Sequence, residues 1–168
     1  MKKSVTLTTA ATLRTLRKAG ALWCLLLTVA ACSKAAREPQ PEILGVRLGM
    51  SRDEARARLE SIGKLEKEER RQQEVWRLNG DASYSHLIVA YNKGYTAVRY
   101  VTAVAGEKGR RVRYSDVIER ARAREEITPA TRTYTLEVPA REGRPGFIVK
   151  AIGSDPETLK YYSVEMID

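Results

Sequence analysis

Histidine, phenylalanine and cysteine are scarce in this 168-residue chain, which has one His, one Phe and two Cys. Both cysteines, Cys24 and Cys32, lie near the N-terminus, so the rest of the chain contains no internal disulfide and must be stabilised by packing. A single histidine, His86, excludes a paired-histidine metal site, and no thiolate after Cys32 substitutes for it. Residues 153–156 (GSDP) lack both the repeated Asp/Asn spacing of a calcium loop and the Gly-Lys-Ser of a phosphate loop, and they suit a turn between strands. No Gly-x-Ser-x-Gly nucleophile turn accompanies His86. The sequence therefore predicts no metal, no cofactor and no enzyme.

What is present suits one ordinary folded domain: 43% of residues are hydrophobic and 30% charged. The net charge of +9 is misleading. Residues 1–31 hold five lysines and arginines and no acid, so the remainder carries only +4. That excess is interleaved with acids, as in residues 64–71 (KLEKEERR), and makes no dedicated basic face. Nucleic acid is not an expected partner.

Residues 1–31 have the layout of a secretory signal, with a basic start, an apolar run at 19–31 (AGALWCLLLTVAA), and small residues at the end. The apolar run is shorter than the ~20 residues that cross a bilayer core. Val29-Ala30-Ala31-Cys32 resembles the bacterial lipobox, with Val29 where leucine is more usual. The resemblance implies cleavage before Cys32 and a thioether to diacylglycerol at its sulfur. Palmitate-type acyl chains would then hold the protein on a membrane, since each buried methylene contributes ~0.8 kcal/mol. Ser33 after the cysteine resembles the signal for outer-membrane delivery, facing the periplasm. Residues 32–42, with Pro39 and Pro41, suit a semi-extended tether, and the folded domain is expected over 43–168.

Within that domain the clearest motif is residues 50–63 (MSRDEARARLESIG). Ser51 and Glu54 form a capping-box pattern, Gly63 is a stop, and Ala55, Leu59 and Ile62 share one face, leaving Arg52, Arg56 and Glu60 toward water. Strands are expected at 74–78, 84–91 and 97–104 as an antiparallel meander. A second helix capped by Ser115 runs to about Ala123, followed by strands at 132–138, 147–152 and 161–167. The predicted class is α+β, one helix followed by a three-stranded antiparallel meander, repeated over 43–106 and 112–168. Trp76 with Tyr134, Leu87 with Phe147 and Tyr100 with Tyr162 recur at offsets of 58, 60 and 62 residues.

Residues 46–54 (VRLGMSRDE), entering a helix and a meander, resemble the SmpA/OmlA envelope lipoprotein domain and, when doubled, the β-lactamase-inhibitor-protein fold. The likeness covers about residues 43–104, with a weaker echo over 113–167, and Gly63-Lys64-Leu65 lacks the proline usual in that family after the helix. It implies a non-catalytic domain that works through protein contacts, in outer-membrane protein assembly or in inhibition of a partner enzyme.

Candidate contact residues are the strand tyrosines Tyr84, Tyr91, Tyr100, Tyr134 and Tyr162, which strand alternation places partly outward. His86 is expected on a strand, at the surface or half-buried. Arg110-Arg111-Val112-Arg113 reads as a solubilising connector, with anionic lipid as its functional alternative. The expected function is a lipid-anchored, non-enzymatic envelope interaction module with a protein partner, the alternative being a small ligand or glycan in a sheet concavity.

Overall fold

The computed structural model describes residues 39–167 except 70, 71, 82 and 108; the leader, Cys32 and the start of the tether lie outside the described residues. The domain opens with a hairpin, β1 (Glu42–Ile43) paired with β2 (Val46–Arg47). Its turn takes Leu44 and Gly45 through positive φ, 51° and 84°, and a side chain at Gly45 would also collide with the Arg58 guanidinium.

Helix α1 (Arg52–Ile62) follows, for the reasons visible in its sequence. The Ser51 hydroxyl accepts the Glu54 N–H, and the Glu54 carboxylate accepts the Ser51 N–H at 3.2 Å, a complete capping box. Ala55 and Leu59 are fully buried beneath the helix. Arg58 Nε donates to the Leu44 carbonyl at 2.9 Å and ties the helix to the hairpin.

The remainder is chiefly strand: β3 (Gly63–Glu69), β4 (Gln73–Leu78), β5 (Tyr84–Tyr91), β6 (Val98–Ala105), β7 (Arg124–Ile127), β8 (Arg132–Val138), β9 (Phe147–Gly153) and β10 (Tyr161–Met166). They form one antiparallel sheet of eight strands in the order β3-β4-β5-β6-β10-β9-β8-β7. Between β6 and β7, among the described residues, lie only a one-turn helix α2 (Tyr114–Val117) and a 3-10 turn (Arg120–Arg122).

The expected α+β class is thereby overturned: the domain is mostly β, not a doubled helix with three strands. Two strands, β3 and β7, were missed because their sequences (GKLEKEE and REEI) are charged, as befits the two edges of the sheet. The long second helix does not form either. Ser115 lies inside the single turn of α2, whose flanking Arg113 N–H is held by Asp116 at 3.1 Å, and extended backbone resumes at Ile118. Tyr100 and Tyr162 are not equivalent, since register puts them on opposite faces.

One face of the sheet carries the core. In register across it stand Trp76, Leu87, Ala103, Tyr162, Ala151 and Tyr134, then Val89, Val101, Val164, Val149 and Leu136, with α1, the hairpin and Tyr114 of α2 packed within the same cluster. Alternation along β9 is complete, buried and half-exposed residues taking turns from Phe147 to Gly153.

Candidate functional site

Among the described residues, no element packs over the opposite face of the sheet, the open face. Antiparallel pairing aligns Arg77, His86, Val104, Tyr161, Ile152 and Thr133 in one row across six strands. The next row is Val75, Ile88, Thr102, Ser163, Lys150 and Thr135, and the third is Gln73, Ala90, Tyr100, Glu165, Ile148 and Glu137. Most of these side chains are half-exposed, and Tyr161 is 45% exposed. The middle strands mix apolar and aromatic groups (Ile88, Val104, Tyr161, Ile148 and Ile152) with Thr102, Ser163 and the Lys150–Glu165 ion pair, and charged groups of β3 and β7 flank them. Such a mixed face has the composition of a non-obligate protein contact surface.

Two shallow hollows lie along the sheet. One, about 340 Å³, is lined by Gln72, Gln73, Arg99, Tyr100 and Glu165. Here the Tyr100 hydroxyl donates to Gln73 Oε1 at 2.6 Å, and its pKa is raised by burial and by the nearby Glu165 and Glu69 carboxylates. Lys150 meets Glu165 at 3.3 Å beside it. The other, about 660 Å³, lies at the far end of β4 and β5 between Arg77, Leu78, Tyr84, His86 and Gly106.

Of the five tyrosines expected at a contact surface, only Tyr100 belongs to the open face. Tyr91 and Tyr134 are 4% and 2% exposed and pack in the core. Tyr84 and Tyr162 are half-buried against that core, and burial pushes both hydroxyls up to about 12. Tyr161, passed over in the sequence, is the exposed one. Adjacent strand residues face opposite ways, so choosing between Tyr161 and Tyr162 required the register, which the alternation of Val164 with Ser163 and Glu165 signals.

His86 is half-exposed on the open face, as expected, within a hydrogen-bonded chain. Its Nδ1 lies 3.0 Å from the Ser85 hydroxyl and its Nε2 3.0 Å from Glu66 Oε2, while Arg77 holds the other Glu66 oxygen at 2.6 Å. An irregularity in pairing between Tyr84 and His86 brings the two neighbouring side chains together. The trio has the residue types of a hydrolytic relay, but three turn amides beside it are committed. Ser83 and Tyr84 donate to Asp81, and Gly106 donates to the Ser83 carbonyl. Those amides offer no oxyanion stabilisation.

Among the described residues, the one fully buried charged residue is Glu74, on the core face of β4. Burial acts to raise its pKa, but hydrogen bonds from Arg56, Trp76, Tyr95 and Tyr91 outweigh it and hold the carboxyl below the usual range. Arg56 Nε donates at 2.7 Å, and Trp76 Nε1, Tyr91 and Tyr95 each at 3.0 Å. Arg52 stacks over the Tyr95 ring at 3.8 Å. Arg52 and Arg56, expected to face water, thus turn inward to the sheet. The donors saturate this carboxylate, and its role is to fasten α1 to β4.

The remaining sequence candidates lie apart from the open face. Arg110, Arg111 and Arg113 are exposed in the connector from β6 to α2, Arg110 approaching Asp116 at 3.9 Å. In the turn after β9, Asp155 accepts the N–H groups of Glu157 and Thr158 at 2.8 and 2.7 Å, closing the loop with its own carboxylate. No protein-family model, curated protein or solved structure matches this chain.

Proposed function

We propose that this protein is a lipid-anchored bacterial envelope protein that acts without catalysis, binding another envelope protein on the open face of its sheet. The observation carrying this reading is the row Arg77, His86, Val104, Tyr161, Ile152 and Thr133, aligned in register on a half-exposed face with apolar groups at its centre. The eight strands, ~4.8 Å apart and about six residues long, present roughly 38 by 20 Å. That area is near the ~800 Å² per partner of a standard interface. The likeness of residues 46–54 to SmpA/OmlA envelope domains and the lipobox-like residues 29–32 support the same reading.

The test is photo-crosslinking in the native cell from Tyr161 and Ile88, compared with Tyr91 in the core. The proposal expects one protein trapped from the open-face positions and lost on Tyr161→Asp. Absence of any protein adduct from both open-face positions overturns it. The hollow around Tyr100 favours a second reading, a small ligand or glycan, because an amide, a guanidinium and a carboxylate converge beside an aromatic ring. In that case Tyr100→Ala abolishes ligand binding while protein crosslinks stay absent.

A further inference from the structure

We infer that His86 is a proton switch for the open face, which holds its protein partner while the ring is neutral and releases it on acidification. The inference rests on the docking reading above and adds its regulation.

His86 is the single histidine of the chain and stands in the same row of the open face as Tyr161. Its partners fix the neutral tautomer. An ionised carboxylate can only accept, so Nε2, 3.0 Å from Glu66 Oε2, carries the hydrogen and donates it. Nδ1 is then an acceptor, and the Ser85 hydroxyl donates to it at 3.0 Å. Glu66 accepts Arg77 on its other oxygen at 2.6 Å, so one carboxylate balances one guanidinium.

Uptake of a proton reverses one bond in this chain. Nδ1 becomes a donor, and the Ser85 hydroxyl must turn a lone pair toward it. It has somewhere to send its own hydrogen, because the Val104 carbonyl on the neighbouring strand lies 3.4 Å from Ser85 Oγ. Both ring nitrogens are therefore hydrogen-bonded in either state. What changes is charge: Glu66, already engaged by Arg77, then faces two cations.

Among the described residues, the ionisable groups around the ring are Lys64 and Glu66 of β3, Arg77 of β4, and Asp81, Tyr84 and Glu107, which line the same hollow; β6 sets the uncharged Val104 opposite. Asp81 is occupied by the Ser83 and Tyr84 amides at 2.6 and 2.8 Å. Glu66 is the carboxylate bonded to the ring. While the face is uncovered, water completes the solvation of a charged ring, since the His86 side chain is 33% exposed. A partner lying on the row removes that water, and a carboxylate shared with Arg77 does not make good the loss. Covering the row thus favours the neutral ring, and by linkage the neutral ring favours the partner. The direction is release as pH falls through the range in which histidines gain charge.

The test uses the full chain in membranes from its own cells, with the photo-crosslinking group at Tyr161, and reads the yield of trapped protein at about pH 8 and about pH 5.5. The yield should fall about fivefold or more on acidification, the lower end of ordinary coupling between two binding events. His86→Gln, which keeps an amide donor for Glu66 but cannot take up the proton, should hold the yield constant. Glu66→Gln removes the carboxylate that favours the charged ring and should move the fall to lower pH, a displacement that a purely structural role would not produce. Near-UV circular dichroism at both pH values confirms that the variants are folded. In the detergent-solubilised chain with nitrogen-15 histidine, the ring resonances should place hydrogen on Nε2 at about pH 8 and a second on Nδ1 after acidification. Hydrogen on Nδ1 alone in the neutral ring overturns the inference. So does a yield that stays flat, rises, or falls equally in wild type and His86→Gln, and each of these leaves the docking reading standing. No adduct at either pH fails the docking and the switch with it.

Discussion

Glu74 shows how a single side chain organises this domain. Its carboxylate is wholly buried yet meets donors from α1, β4, β5 and the turn after β5. Glu74→Ala would leave Arg56 with Glu68 as its remaining carboxylate partner, at 3.1 Å, and strand the buried Tyr91 hydroxyl and Trp76 N–H. Loss of one partner of a buried pair costs about 3–5 kcal/mol, and because Arg56 is partly in contact with solvent the lower figure, about 3 kcal/mol, is expected by urea unfolding. The same residue sets an acid limit. Its folded pKa lies below the reference value of 4.5, so its contribution is fully present above that value and is lost as pH falls through the folded value. The urea midpoint should fall on acidification below 4.5, and Glu74→Gln, which cannot titrate, should flatten that decline. An equal decline in the variant would assign acid sensitivity to other carboxylates.

At the scale of elements, how much could be read beforehand followed chemistry. Helix α1 was legible because Ser51, Glu54 and the Ala55/Leu59 face all state the same structure. Strands β5 and β8 were legible from their β-branched and aromatic runs. Edge strands were not, because β3 and β7 trade apolar alternation for charge, which keeps a sheet margin from pairing with another chain but hides the strand. The contact surface was half legible. Tyrosines mark strands, yet which side each takes depends on register and on the irregularities in β5 and β6. Glu74 gave no signal at all, sitting among glutamates and glutamines that resemble a solvated stretch. One close approach is testable at this scale. At Gly153 in β9 a Cβ would strike the Thr158 carbonyl and the Tyr114 hydroxyl, both parts of the junction between α2 and the turn after β9. Gly153→Ala should force backbone apart there and destabilise by about 1–3 kcal/mol. Gly80→Ala, where a Cβ would meet nothing within 4 Å but φ is positive, should cost only about 1 kcal/mol, so chemical denaturation of the two separates crowding from backbone strain.

Across the whole molecule, the two faces of the sheet differ in what they pack against. The core face binds α1 and the hairpin and supplies stability without any disulfide, while the open face is free to serve binding. Substitutions on the two faces should therefore separate stability from association. The anchor reading ties this layout to a location, because it makes Cys32 the point of membrane attachment. Cys32→Ala removes the only thiol able to form the thioether at the lipobox-like sequence. It should shift the protein from the membrane pellet to the soluble or precursor fraction, with loss of the acyl mass, and leave the thermal midpoint of the folded domain unchanged, since the anchor reading places residue 32 ahead of the domain expected over 43–168. Photo-crosslinks from Tyr161 should then weaken in cells through lower local concentration, yet return when the partner is supplied at higher concentration, because the open face itself is intact. A membrane fraction unchanged by the substitution would show that the protein is held there by something other than lipid at Cys32.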